Sequence, residues 1–498
     1  MKYKLICILV ALALVLTTTA AICLEQEGQE TYRYHQHLEE PGYTPCEDHG
    51  DEMFCSHLPL VMINTEGQEV PGAVTGEHDR FGQSLHTVSE EGGNSANVSV
   101  SIIDNASGNN HLDDEADFTT RSLIRIRGNS SRRFEKSSYQ LKFVNEEGRD
   151  RDLEVMGMDA HSEWVLYGPY LDKSLVRNYM WYNISGEIME YAPNVRYCEV
   201  FLNGEYRGLY LMAETIANGD VGRLHLKENY KGNEVTGYIL RIDRPTEADL
   251  GTTSDIYSFG ERIDKVRTDV SIFYPGKNKL TPELAEEIEM DFAAFEKVLY
   301  SYDYNTRDYG YWNWIDVDNF VDYYLINEFS CNTDAGIFST YFYKEPGGKY
   351  KLCVWDFNNA CDNYMENPLG PAGLNLYDYR AYFEMLCKDD EFVEEIVVRY
   401  GELRKTWFSD EYLDWYIDGT LEWLGPAVER NNERWADAFT DYAPLEPAER
   451  NVYSHEEAVE QLKTWIHARG AWLDVNIDAL RAVAHSSVNK KFELESDD

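Results

Sequence analysis

The sequence predicts an α+β protein, mainly β over 58–243 and largely helical in its C-terminal half. Three observations predict it. Short alternating runs bounded by turn residues fill the first part, as in Leu123-Ile-Arg-Ile-Arg127. Long apolar periodicities carrying many Trp residues dominate after Pro368. A hydrophobic share of 43% and an aromatic share of 13% suffice for a packed core in a chain of 498 residues.

Residues 1–22 read as a signal peptide. Lys2 and Lys4 supply the positive start, and 5–16 is an apolar run too short for a comfortable membrane span. Thr17-Thr-Thr-Ala-Ala21 supplies small residues for cleavage. This predicts a secreted or extracellular protein, associated with the cell surface or free. Cys23 stands where a bacterial lipoprotein carries its lipid, but Ile22 precedes it where a small residue is expected, which argues against anchoring there. No other run has the length of a transmembrane helix, so no integral membrane domain is expected.

Residues 23–57 are polar and acidic and read as a linker or irregular arm. Strands are predicted at 58–63, 98–103, 123–127, 139–143, 164–167, 196–202, 206–213 and 237–243. Residues 71–95 look loop-like, and 104–117 form an acidic loop. Asn203-Gly204 between two of the strands is a strong hairpin signal. Helices are predicted at 175–189, 281–299 and 317–329. The middle one has its apolar face on Leu284, Ile288, Phe292, Phe295 and Leu299. Helical patterns then recur near 379–406, 410–439 and 455–491, and 491–498 is a charged tail.

The formal net charge is −44, with 89 acids against 45 bases. Such a field repels nucleic acid and anionic membranes. A site for a polyphosphate in this chain needs local basic groups and a metal. Nine cysteines are present, and none has the close paired spacing of a structural zinc site. Cys46 with Cys55, and Cys353 with Cys361, are near enough in sequence for loop disulfides.

The strongest chemical signal is a pair of aspartates around a predicted hairpin. Asp334 precedes the run Ser339-Thr-Tyr-Phe-Tyr343. Pro346-Gly-Gly-Lys349 makes the turn, and Asp356 follows Tyr350-Lys-Leu-Cys-Val-Trp355. Antiparallel pairing folds this separation back, so both carboxylates can approach one cleft. Kinases use such a layout, with one Asp on the attacking hydroxyl and another on the metal. Two turn residues at strand ends are the plain alternative.

The second signal is basic. Arg127, Arg132, Arg133, Lys136 and Lys142 cluster within 127–142 of a very acidic chain. Gly128-Asn129-Ser130 offers a turn with backbone and side-chain donors for phosphate oxygens. Lys142 alternates with Leu141 and Phe143 on a strand, as a phosphate-gripping kinase lysine does. The alternative is a solvated basic patch. The glycine-rich run of a P-loop is absent. Arg177 can hold a phosphate or the fold. Glu214 and Asp243 end strands, and each can serve a nucleotide or a structural ion pair. No nucleophile elbow is present, and His161 and His225 read as isolated surface or loop residues.

These residues fall into an ordered set of motifs. They are Arg127-Gly-Asn-Ser-Ser131 with Lys136-Ser-Ser-Tyr-Gln-Leu-Lys142, then Leu175-Val-Arg-Asn178. Next come Val200-Phe-Leu-Asn-Gly-Glu-Tyr-Arg-Gly-Leu-Tyr210 with Glu214, and Gly237-Tyr-Ile-Leu-Arg-Ile-Asp243. The last are Asn327-Glu328, Asn332 to Asp334, Trp355-Asp-Phe-Asn358, Arg430-Asn-Asn-Glu-Arg-Trp435 and Ala471-Trp-Leu-Asp474. In this order, over about 58–480, the chain resembles the spore coat protein H (CotH) kinase family of secreted or surface-associated atypical protein kinases. The resemblance implies a diverged, two-lobed protein-kinase-like fold with a nucleotide between the lobes, in a kinase-like domain over 58–490. It implies ATP, Mg²⁺ or Mn²⁺, and transfer to Ser or Thr of a secreted or surface protein. Carried over by motif, Asp334 is catalytic, and Asp356 with Asn358 would bind metal. Arg127, Asn129, Lys136, Lys142, Arg177 and Glu214 would serve the nucleotide.

One departure bears on activity. The family pattern is Trp-Asp-Phe-Asp, and here Asn358 stands at the last position. An amide oxygen ligates Mg²⁺ without adding charge. Asn359 or Asp362 is available to compensate. The alternative function is a weak or inactive kinase-like binding protein of the bacterial surface.

Overall fold

A computed structural model describes residues 33–46, 54–78, 84–105, 108–128, 130–219, 223–227, 236–244, 254–265, 269–365, 367–377, 380, 382–440 and 443–487. The proposed signal peptide, Cys23 and the charged tail lie outside the described residues. The chain divides into a short unit ending at His35, of which 33–35 are described as irregular backbone, and a large unit from Gln36 onward. Every strand and helix among the described residues belongs to the large unit.

Seven strands close into a barrel. They are β1 (Leu60–Asn64), β2 (Ala96–Ile103), β3 (Phe118–Ile126), β4 (Tyr139–Val144), β5 (Glu163–Tyr167), β6 (Val195–Leu202) and β7 (Glu205–Glu214). The order around the barrel is β5-β7-β6-β1-β2-β3-β4, with β4 pairing back onto β5. Only the β6–β1 pair is parallel, since the other neighbours are antiparallel. Alternation fills the interior: Leu141 and Phe143 of β4 point inward with Trp164, Val200 and Tyr210, while Gln140 and Lys142 point outward.

A second, five-stranded antiparallel sheet adds β8 (Tyr238–Ile242), β9 (Ser254–Ile256), β10 (Val270–Tyr274), β11 (Thr340–Lys344) and β12 (Lys351–Cys353), in the order β9-β10-β8-β11-β12. β11 and β12 are the predicted hairpin, with Tyr341 opposite Cys353 and Tyr343 opposite Lys351. Asp334 lies just before β11, and Asp356 just after β12.

Helix α1 (Arg177–Ile188) lies between β5 and β6. Helix α2 (Pro282–Leu299) starts where Thr281 accepts the Leu284 N–H and Pro282 fits the first turn. It buries Ile288, Phe292, Phe295 and Leu299 as its apolar stripe predicts, each worth about 1.5–3 kcal/mol of burial. Helix α3 (Val317–Ser330) is capped by Asp316 and stopped by Cys331, whose φ of 48° is left-handed. The C-terminal part is helical throughout, with α4 (Asp390–Leu403), α5 (Asp410–Leu424), α6 (Pro426–Arg434) and α7 (His455–Asn476) as its long members. One apolar core runs from α1 through the second sheet to these helices.

The structure differs from the sequence reading in several places, among them a short strand pair, Cys55–Ser56 with Asn110–His111, within the expected arm and acidic loop. Residues 71–95 hold a hairpin, Val74–His78 with Ser84–His86, rather than a loop. Its strands bury little, so they carry no apolar alternation to reveal them. β10 also gave no signal, because Val270, Ser271 and Ile272 are all buried and show no period of two. Within the expected arm, Gln36–Glu39 forms a helical turn, and Gln36 accepts the Tyr197 N–H at 2.7 Å.

Candidate active site

Two loops make the site. The first leaves α3 at Cys331 and carries Asn332, Thr333 and Asp334. The second leaves β12 and carries Trp355 to Asp362. They are sewn together. Asn332 donates to the Asn327 side-chain oxygen at 3.1 Å and to the Trp355 carbonyl at 3.4 Å. Cys361 N–H donates to the Ser330 carbonyl at 2.7 Å. Asn359 Nδ2 donates to Asp334 Oδ2 at 3.3 Å.

Helix α1 holds the second loop from the other side. The Tyr182 hydroxyl accepts the Asp356 N–H at 2.9 Å, and Asn178 Oδ1 accepts the Phe357 N–H at 2.7 Å. Arg177, ion-paired to Asp172 at 2.6 Å, donates to the carbonyls of Ala360 at 3.0 Å and Cys361 at 3.3 Å. Both partners of that pair are buried, so Arg177 is fully engaged in positioning the loop.

Asp356 takes a left-handed φ of 58°, which Asp tolerates better than most residues. Its carboxyl is pushed up to about 6, mainly by burial and further by the charges of Asp334 and Asp243, while Arg127 and the Asn358 N–H oppose the shift. Asp334 and the strand-end Asp243 thus both act on Asp356, and Arg127 is the cation that opposes them there. Arg127 lies over the Trp355 ring at 5.4 Å. Arg244, next to Asp243, stacks on Phe338 of the Asp334 loop at 3.6 Å.

Asn358 is buried, and its Oδ1 has no hydrogen-bond partner among the described residues. A buried amide oxygen in that state is costly unless something binds it. Asp356 and Asn358 therefore fit a hard cation by their chemistry. They do not make a closed cage. Among the described residues, the acids here are not gathered within 4.8 Å of one another in threes. Two protein oxygens suit Mg²⁺, which keeps waters and substrate phosphates as its other ligands.

The remaining predicted residues are placed as follows. Lys136 is buried, donates to Asn431 Oδ1 at 2.6 Å and lies over Tyr210 at 5.2 Å, and burial holds its pKa well below the usual lysine range. Glu214 is buried, accepts from the Asn194 N–H at 2.8 Å and lies 3.8 Å from Arg223. Lys142 bridges Asp150 at 3.1 Å and Glu163 at 3.3 Å on the outer barrel face. The Arg127 N–H donates to the carbonyl of Ser138, just before β4 and four residues from Lys142. At about 3.3 Å per residue, Lys142 sits roughly 13 Å further along the sheet. Asn129 lies outside the described residues. Of the compensating candidates, Asn359 is turned to Asp334. Asp362 pairs with Arg450 at 2.8 Å and accepts the Leu369 N–H, so it is committed elsewhere.

Arg380 is a residue the sequence did not reveal. A Cβ on Gly336, two positions after Asp334, would lie 2.9 Å from the Arg380 Cβ. Gly336 at φ +80° thus lets the arginine stem pass against the loop. Burial lowers the Arg380 pKa, and Asp334 is the largest charge opposing that shift. Its Nε is buried with no hydrogen-bond partner among the described residues. No sequence signal marks it: it falls within the stretch near 379–406 that reads as helical, where nothing beside it points to phosphate chemistry.

Compared with known families, residues 124–473 match the family described as CotH kinase protein. The search among curated proteins found no match. No helix among the described residues is long and apolar enough to cross a membrane.

Proposed function

The chain belongs to the CotH kinase protein family, and from that premise we propose that it is an ATP- and divalent-metal-dependent kinase of Ser and Thr in secreted or surface proteins. The observation that carries this reading is the joined pair of loops, with Asp334 beside Asp356 and an unsatisfied Asn358 oxygen behind them. When bound, ATP and Mg²⁺ or Mn²⁺ supply the phosphoryl group and screen its charge.

Asp334 orients the incoming hydroxyl and takes its proton. Asn359 fixes that carboxylate by a hydrogen bond, and Arg380 offsets its charge. Asp356 and Asn358 would hold the metal. Arg127 acts on Asp356 and Arg380 on Asp334, so these two cations are assigned to phosphate oxygens. Lys136, Arg177 and Glu214 act through the fold: their partners are Asn431, the Ala360 and Cys361 carbonyls, and Asn194. Lys142 keeps a role at the far end of the nucleotide only if it leaves Asp150 or Glu163.

A second reading, a kinase-like binding protein with little or no turnover, is favoured by Asn358 in place of an acid and by the double ion pair on Lys142. Labelled ATP with Mg²⁺ or Mn²⁺ and candidate secreted proteins decides between them. Label on Ser or Thr supports the kinase. Nucleotide binding without transfer supports the second reading, and failure of both removes the nucleotide site.

A further inference from the structure

We infer that Cys46, Cys55 and His111 form a binding site for a zinc-type metal ion, remote in sequence from the loops of Asp334 and Asp356. Their ligating atoms all lie within 4.8 Å of one another, the one such group of three among the described residues. Zn–S bonds of about 2.3 Å and Zn–N bonds of about 2.0 Å put tetrahedral ligand atoms roughly 3.5–4 Å apart. Side-chain rotation covers the difference. Two thiols and an imidazole are the donor set that selects zinc over the hard cations expected at Asp356.

The backbone builds this arrangement. Cys55 and His111 are directly opposite each other in an antiparallel pair, so their side chains leave the same face. Cys46 is brought alongside by its own segment, where Asn109 donates to the Thr44 carbonyl at 2.9 Å. Asp114 orients the imidazole. Its Oδ2 lies 3.2 Å from His111 Nδ1 and also accepts the His111 N–H at 2.8 Å. A carboxylate on one ring nitrogen sets Nε2 as the metal-binding one.

All three residues are half-buried, and a site with three protein ligands takes water as its fourth. On binding, each thiol gives its proton to solvent, and the ion takes two thiolates and a neutral imidazole. The ion would pin the segment before Cys46 to the paired strands at Cys55 and His111.

The sequence alone suggested a Cys46–Cys55 disulfide, whereas both thiols are free here. The test separates the two states. Full-length protein purified without chelator should carry one zinc per chain by elemental analysis. Stripped, reduced protein titrated with Co²⁺ should develop a thiolate-to-metal charge-transfer band. Cys55→Ser and His111→Ala should abolish both signals, and Asp114→Asn should weaken Zn²⁺ affinity about 10–100-fold. A far-ultraviolet spectrum of each variant shows whether it folds. Should His111→Ala fail to fold, the stoichiometry and Co²⁺ spectrum of the unaltered protein still decide. A native mass lower by two hydrogens with Cys46 and Cys55 linked would overturn the proposal. So would reduced, folded protein that binds neither ion.

Discussion

Asn332 donates its side-chain amide to the carbonyl of Trp355 at 3.4 Å, so the residue preceding Asp356 is tied to the loop that carries Asp334. The two carboxylates are therefore held by one hydrogen-bonded unit. Displacing one loop displaces the other.

That coupling separates two roles by substitution. Asp334→Asn should keep fold and nucleotide affinity while lowering turnover about 10²–10⁴-fold, the usual range for a lost proton acceptor. Asp356→Asn should instead weaken metal-dependent nucleotide binding. Calorimetry with a nonhydrolysable ATP analogue, beside kcat, distinguishes them. Wild-type turnover by both variants at saturating ATP and metal would refute the assignment.

Asn358 offers a gain. Asn358→Asp adds a charge to the metal's ligand set and should tighten Mn²⁺ binding. A Mn²⁺ titration followed by electron paramagnetic resonance measures it. An unchanged constant would mean that the side chain only fills the turn.

Asp356 also makes stability depend on pH. Its carboxyl titrates at about 6 in the fold against an ordinary 3.8. Between these values the folded chain keeps a proton that the unfolded chain has lost. Stability therefore falls as pH rises through that window and stays lower above it. Without metal, Asp356→Asn should have a higher Tm than wild type above about pH 7, and the difference should vanish in acid. Mg²⁺ should raise the wild-type Tm at neutral pH and less so in acid, where protons compete. A Tm difference between the two proteins that is flat in pH would contradict the charge-burial account.

Arg380→Ala should lower turnover with little effect on Tm, whereas Lys142→Ala should alter stability by no more than about 1 kcal/mol, since its ion pairs are half-exposed. If nucleotide affinity falls for Lys142→Ala and holds for Arg380→Ala, the two cations have been assigned the wrong way round.

Glu328 and Arg469 form a fully buried ion pair at 2.5 Å, and Arg469 also donates to the Glu328, Pro371 and Gly373 carbonyls. Glu328→Gln should cost about 3–5 kcal/mol, because it leaves a buried guanidinium without its counter-charge. Urea unfolding gives the value, and a loss under about 1 kcal/mol would show the pair to be dispensable.

The hairpin and its flanking aspartates were legible because aromatic alternation and Pro346-Gly-Gly348 are local signals. α2 was legible for the same reason, with a cap and a stripe within one short segment. Lys136 was misleading. In a very acidic chain it reads as part of a phosphate patch, yet its partner Asn431 stands 295 positions away. Tyr182 and Arg380 were invisible as site residues for a like reason: each meets its loop through tertiary packing, and nothing beside it in sequence betrays that. Asn178 stood in a motif beside Arg177, but its contact with the Phe357 N–H is again made by tertiary packing. Asp243 was noted only as an ambiguous strand end, and its nearness to Asp356 resolves where that strand points.

Helix α6 reaches back to the barrel through several residues. Arg430 pairs with Glu199 at 2.6 Å, Asn431 accepts from Lys136 and from the Leu209 N–H, and just past the helix Trp435 donates to the Arg207 carbonyl at 2.8 Å. A side chain at Gly208 would collide with Asn431 and Trp435. The barrel wall is thus completed by residues more than two hundred positions downstream of it. A truncated chain ending at Leu424 would strand a buried glutamate and a buried lysine, so the β-rich half is not a portable module. A protease nick in a loop between the barrel and α6 should therefore leave two fragments that stay associated.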